Sequence, residues 1–225
     1  RSSDLTGHIK AWVGGINYKY FQYDHVGQGA RQVGSTFKPF VYATAIEQLG
    51  MSPCDSIIDS PFMIHKGRHH VTADWEPKNS DRQYRGMVTL KKALALSINT
   101  VSAKLIDKTG PEAVAELTKK LGVKTNIPIQ PSIALGAVDI TVEDMVAAYS
   151  TFANQGVYMK PQFISRIEDK NGVVLYEPVP ESHDVLNKDI AYAVIKLLEG
   201  VTESGSGVRL RTQGGGSGDN RWTGY

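Results

Sequence analysis

The fold and the chemistry of this chain are decided by GSTFKPFVYATAIEQLG, residues 34–50. Phe37, Phe40, Val41, Ala43, Ala45, Ile46 and Leu49 cover most of the circumference of a helix, and Gly50 stands where a glycine closes one. A helix that is apolar all round belongs in a core. Pro39 is tolerated only in the first turn, where its missing N–H costs no bond, so the helix is expected to start at about Ser35. That start places Ser35 and Lys38 three apart on one face of the first turn.

An alcohol and an amine opening a buried helix are a chemical pattern. The serine oxygen lies beside unsatisfied backbone N–H groups and the positive end of the helix dipole. A lysine one turn on can take its proton, provided that burial brings the amine down from its ordinary pKa of about 10.4. Phe37 and Phe40 supply the burial. On spacing alone the pattern also fits a capped helix with a snorkelling lysine. A second segment favours chemistry: Ser97-Ile98-Asn99 interrupts an apolar helical run, and small polar groups buried there need partners. Ser97 is expected to relay a proton between Lys38 and a leaving group, and the Asn99 amide to hold a substrate carbonyl.

The composition is that of an ordinary globular chain: 225 residues, 41% hydrophobic, 25 basic against 23 acidic side chains. No basic cluster recurs along a face, which argues against nucleic acid as a partner. One cysteine, Cys54, excludes an internal disulfide; it is expected to be half-buried near a turn. No run reaches the roughly 18 apolar residues of a membrane span, so any membrane attachment is expected through an anchor outside the sequence. No metal or cofactor is expected. His69 and His70, read as neighbours on a strand or loop, point apart and are taken as solvated. Asp24 and His25 are likewise too divergent to build a triad with Ser35.

Along the chain, residues 5–13 alternate as a strand, and 14–34 read as an irregular glycine-rich connection. Residues 51–88 read as loop with short strands. One helix is expected over 88–110, capped by Thr89, and another from Pro111 to Gly122. Residues 141–156 repeat the Thr-capped pattern, 163–177 form a hairpin around Asn171-Gly172, and a last helix runs from Lys188 to about Val201. Residues 205–225 read as a flexible linker-like tail. Helices with isolated strands and a hairpin make the class α+β.

Four segments in order carry a resemblance: GHIKAWVGGINY, RQVGSTFKP, YRGMVTLKKALALSINTVSAKL and SIALGAVDITVEDMVAAYSTFANQGV. The chain resembles the transpeptidase domain of a class A, bifunctional penicillin-binding protein over nearly all of residues 1–225. The resemblance implies a penicillin-binding protein or serine β-lactamase-like fold, an antiparallel sheet flanked by helices. It implies a DD-transpeptidase in which Ser35 attacks the D-Ala-D-Ala of a peptidoglycan stem peptide, Lys38 is general base, and Ser97 and Asn99 complete the site. It further implies trapping by β-lactam antibiotics, an upstream glycosyltransferase domain and a place on the outer side of the cytoplasmic membrane. Trp75, Tyr84 and Arg85 fall in a segment that borders the groove in such proteins, so a substrate-lining role is implied for them.

The family's third motif, K-T-G on a late strand, is expected beyond Tyr225. The only KTG here, Lys108 to Gly110, reads as a helix end followed by Pro111. The chain is therefore expected to lack its last strands and closing helix, and to acylate weakly by itself. Two alternatives stay open: a non-catalytic fragment of that domain, and a DD-carboxypeptidase or serine β-lactamase. Against the lactamase stands the lack of any glutamate between Leu117 and Val142, where class A enzymes carry their deacylating base.

Overall fold

The computed structural model describes residues 6–17 and 19–210. Its centre is the quoted stretch. A short strand β1 (Arg31–Gln32) leads into a 3₁₀ turn, Gly34–Phe37, and then into α1 (Lys38–Leu49). Every side chain from Phe37 to Ile46 is buried. The α-helix starts at Lys38 rather than at Ser35, because Ser35 lies in the tighter turn. Residues three apart eclipse in a 3₁₀ turn, so Ser35 and Lys38 still share a side.

β2 (Ser56–Asp59) and β3 (Gly86–Thr89) pair antiparallel and bracket a long excursion, residues 60–85. The helix expected over 88–110 is two helices, α2 (Leu90–Ala95) and α3 (Asn99–Thr109). The break has a defined form. The Ser97 N–H donates to Leu94 O and the Ile98 N–H to Ala93 O, while Ser97 takes a left-handed φ of 55°. This is a Schellman stop, which usually uses glycine at the left-handed position. Here serine occupies it.

After α3, Gly110 (φ 85°) and Pro111 turn the chain into α4 (Pro111–Lys120), so Lys108-Thr109-Gly110 is a helix end. β4 (Asp139–Ile140) pairs with β1, placing Arg31 opposite Ile140 and Gln32 opposite Asp139. α5 (Val142–Ala153) starts at Thr141, whose side chain accepts the Asp144 N–H, as Thr89 accepts that of Lys92 for α2. β5 (Val157–Met159), β6 (Ile167–Glu168), β7 (Val174–Tyr176) and β8 (Ser182–Asp184) follow; β5 pairs with β8, and β6 with β7 as the expected hairpin. α6 (Lys188–Ser204) is capped by Asn187.

The class is α+β. Helices carry the core: α1 is wrapped by α3, α4 and α6, and α6 also covers α2. The strands pair two by two, antiparallel, around it. Of the strand expected over 5–13, His8 and Ile9 lie in isolated bridges rather than in a ladder, His8 in a parallel one with Gln162. Pro161 has no N–H to extend that ladder, and the Lys160 N–H is committed to Glu181 O. Cys54 is exposed rather than half-buried. Ser206 N–H donates to Ala95 O at the start of the tail, and residues 211–225 lie outside the described residues. No helix among the described residues is long and apolar enough to cross a membrane.

Candidate active site

The 3₁₀ turn that carries Ser35 is fixed by two backbone bonds and one side chain. Val33 N–H donates to Val138 O, Gly34 N–H to Gly136 O, and the Tyr149 hydroxyl of α5 to Thr36 O at 2.6 Å. Gly136 has φ 74°, and a Cβ on it would overlap the Gly34 carbonyl, so only glycine lets the two chains approach this closely. Ser35 is left exposed and Lys38 fully buried.

Lys38 ends on the helix break. Its Nζ donates to Ser97 O (2.7 Å), Ser97 Oγ (2.8 Å) and Asn99 Oδ1 (2.7 Å). Ser97 Oγ lies 3.0 Å from Ser35 Oγ. The left-handed turn at Ser97 aims both its carbonyl and its hydroxyl at the amine. All four residues expected in the site come together, and Lys38 reaches Ser35 through Ser97. Burial lowers the Lys38 pKa from 10.5 to about 7.

A neutral Lys38 has two N–H groups and one lone pair, so one of its three contacts must reverse. Ser97 O is a carbonyl. The Asn99 amide is oriented by its Nδ2, which donates to Lys78 O at 2.8 Å, leaving only oxygen toward Lys38. The Ser97 hydroxyl is the one partner with a hydrogen to give. Deprotonating Lys38 therefore turns Ser97 O–H toward Nζ and leaves the Ser97 lone pairs to accept from Ser35 O–H.

The donor end of Asn99, expected to meet a substrate carbonyl, is here on Lys78. Of the remaining candidates, Trp75 is half-buried and pairs its backbone with Ile64 in both directions. Tyr84 is exposed. Arg85 is turned to carboxylates, bonding Asp81 and lying 3.6 Å from Asp59. Asp24 takes the Trp12 indole N–H and the Val26 N–H within its own segment. His69 and His70 sit in a 3₁₀ turn, both at positive φ, and His69 is not solvated: its Nε2 lies 3.0 Å from Asp107 Oδ1.

Sequence reasoning missed Asp59 and Asn79, both buried. Asp59 Oδ1 accepts from Thr100 Oγ1 (2.6 Å) and Asn79 Nδ2 (2.8 Å), and its Oδ2 from Arg85 N–H (3.0 Å). These partners lie twenty or more residues away, so no local spacing marks either residue.

The family model described as penicillin binding protein transpeptidase domain matches residues 4–218. The chain belongs to that family. It is 42% identical over 207 residues to penicillin-binding protein 1A of Aquifex aeolicus, covering 91% of this chain and 28% of the relative. It is 34% identical to penicillin-binding protein 1A of Neisseria flavescens, covering 93% and 27%. The chain thus spans little more than a quarter of the length of these relatives. Among solved structures, penicillin-binding protein 1A from Haemophilus influenzae superposes with a TM-score of 0.85 at 26% identity, over 94% of this chain and 36% of that one. PonA1 from Mycobacterium tuberculosis, solved in complex with penicillin V, gives 0.76 at 26% identity, over 89% and 54%. The transpeptidase domain fold is therefore shared.

Proposed function

We propose that this transpeptidase domain cross-links peptidoglycan by an acyl-enzyme on Ser35. The observation that carries the reading is the continuous path from Ser35 Oγ to Ser97 Oγ to Lys38 Nζ, at 3.0 and 2.8 Å, ending on an amine with a pKa of about 7. Lys38 draws the Ser35 proton through Ser97 as Ser35 Oγ attacks the carbonyl carbon of the D-Ala-D-Ala peptide bond. The C–N bond breaks, and the proton returns through Ser97 to the departing amine of the terminal D-Ala. An amine of a neighbouring stem peptide then attacks the ester, forms the new amide and restores the Ser35 hydroxyl. A β-lactam enters the first half-reaction only: its ring amide acylates Ser35.

The relatives' name and the family support the rest of the reading. The full protein joins this domain to a glycosyltransferase domain, is anchored in the cytoplasmic membrane and works on its outer face. Trp75 and Tyr84 border the substrate groove.

Labelling with a fluorescent penicillin, followed by peptide mass spectrometry, tests the proposal in the full-length protein. One label per chain on Ser35, slowly released, is expected, and Ser35→Ala should abolish it with the melting temperature within a few degrees, since loss of a surface hydroxyl costs at most about 1 kcal/mol. Labelling of Ser35→Ala at the wild-type rate would overturn it. Rapid release of hydrolysed drug would favour a β-lactamase.

A further inference from the structure

α3 begins with Asn99, a residue of the site, yet it has no cap of its own. Its N-cap residue is Ile98, which has no polar side chain to take the first N–H groups. α2, α5 and α6 carry local caps in Thr89, Thr141 and Asn187. For α3 the acceptor arrives from the 60–85 excursion: Asn79 Oδ1 takes the Asn99 N–H at 3.0 Å and the Thr100 N–H at 3.2 Å. The adjacent Lys78 carbonyl takes the Asn99 side-chain amide. One dipeptide thus holds both the backbone and the donor end of Asn99, and the free oxygen of its carboxamide faces Lys38.

Asn79 is only 4% exposed and has every hydrogen-bonding position filled. Its Nδ2 donates to Asp59 Oδ1 and Gln83 O, both at 2.8 Å. Reversing the amide would set NH₂ against two backbone N–H donors and oxygen against a carboxylate and a carbonyl. Asp59, 1% exposed, therefore fixes which way Asn79 faces.

We propose that Asn79, oriented by Asp59, is a positioning residue for acylation: it caps α3 from outside the helix and so holds the Asn99 carboxamide against Lys38. The proposal rests on the acyl-enzyme reading of Ser35, Ser97 and Lys38. A misplacement of about 1 Å in such a constellation costs on the order of 10²-fold in rate.

The test is a double-mutant cycle in the full-length protein, reading the rate of Ser35 acylation by fluorescent penicillin. Asn79→Ala should slow acylation by about 10²-fold. In the Asn99→Ala background it should cost less than about twofold, because the residue through which it acts is gone. Multiplying losses, or a wild-type rate for Asn79→Ala, would overturn the proposal. Should Asn79→Ala not fold, Asn79→Ser, which keeps an oxygen acceptor, takes its place in the cycle. Hydrogen exchange is the independent readout: the Asn99 and Thr100 amides should lose at least about tenfold of their protection in Asn79→Ala, and unchanged protection would sink the cap. If the wild-type protein is not labelled at Ser35, the acylation reading fails and the exchange result alone decides the cap.

Discussion

The two halves of the site differ in how much of their positioning comes from distant side chains. Ser35 is positioned mainly by backbone, β1 pairing with β4 and Gly34 lying against Gly136, with one side chain, the Tyr149 hydroxyl, donating to the Thr36 carbonyl. Ser97 and Asn99 sit on a local helix stop and are held in addition by groups brought from far along the chain, Lys78 and Asn79 from one side and Lys38 from the other. A backbone-built turn tolerates most side chains but not a change in chain separation. A turn held by distant side chains depends on each of those partners separately. The difference makes the first half rigid and the second tunable, and Lys38 belongs to both, since its backbone leaves the first and its amine ends in the second.

Lys38 should therefore show the largest effect. Lys38→Met keeps the volume and removes the base, and acylation is expected to fall by about 10²–10⁴-fold. The same change should stabilise the protein. The folded pKa is depressed, to about 7 from 10.5, so the contribution of Lys38 is most favourable above pH 10.5 and is lost as pH falls to about 7. Each unit is about 1.4 kcal/mol. Part of that is retained as a penalty, because Met leaves Ser97 O and Asn99 Oδ1 without a donor. A net gain of about 1–3 kcal/mol at pH 7 is expected in denaturant titrations, shrinking as pH rises toward 10.5. For the wild type, acylation should rise with pH through a midpoint near 7, as the amine loses its proton; a flat profile between pH 6 and 8 would show that Lys38 is not the base.

Gly136→Ala attacks the rigid half from outside the catalytic group. The added methyl meets the Gly34 carbonyl on a residue already at φ 74°. Left-handed backbone and overpacking together should cost about 2–4 kcal/mol. Because the strain can be relieved only by moving the turn before Ser35, acylation is expected to fall on the order of 10²-fold. Unchanged acylation in a destabilised Gly136→Ala protein would show that the nucleophile turn is positioned from elsewhere.

The same contrast explains what was legible in the sequence. Ser35 and Lys38 were readable because their spacing, the proline limit and the apolar flanks are local. So were the Thr89 and Thr141 caps, the Asn171-Gly172 hairpin and the final helix, each settled within a few residues. The break at Ser97 was not, since its left-handed position holds serine where glycine usually marks a stop, and periodicity of the leucines runs on through it. Asn79 and Asp59 were invisible for a different reason: a cap delivered from twenty residues upstream has no local spacing. His69 was misjudged likewise, because its partner Asp107 lies on another element.

The smallest effect separates geometry from chemistry at Ser97. Its left-handed φ costs an ordinary residue roughly 1–2 kcal/mol. Ser97→Gly and Ser97→Ala both delete the relay hydroxyl and should slow acylation equally, by about 10²-fold or more. They should differ in stability. Glycine restores the usual Schellman residue, whereas alanine keeps the strain without the hydroxyl bond to Lys38; allowing for the greater freedom of glycine in the unfolded chain, Ser97→Gly should be the more stable by about 1 kcal/mol. Equal stabilities would mean that the helix stop is not what holds Ser97 in place, and that Lys38 imposes the turn by drawing the Ser97 carbonyl to its amine.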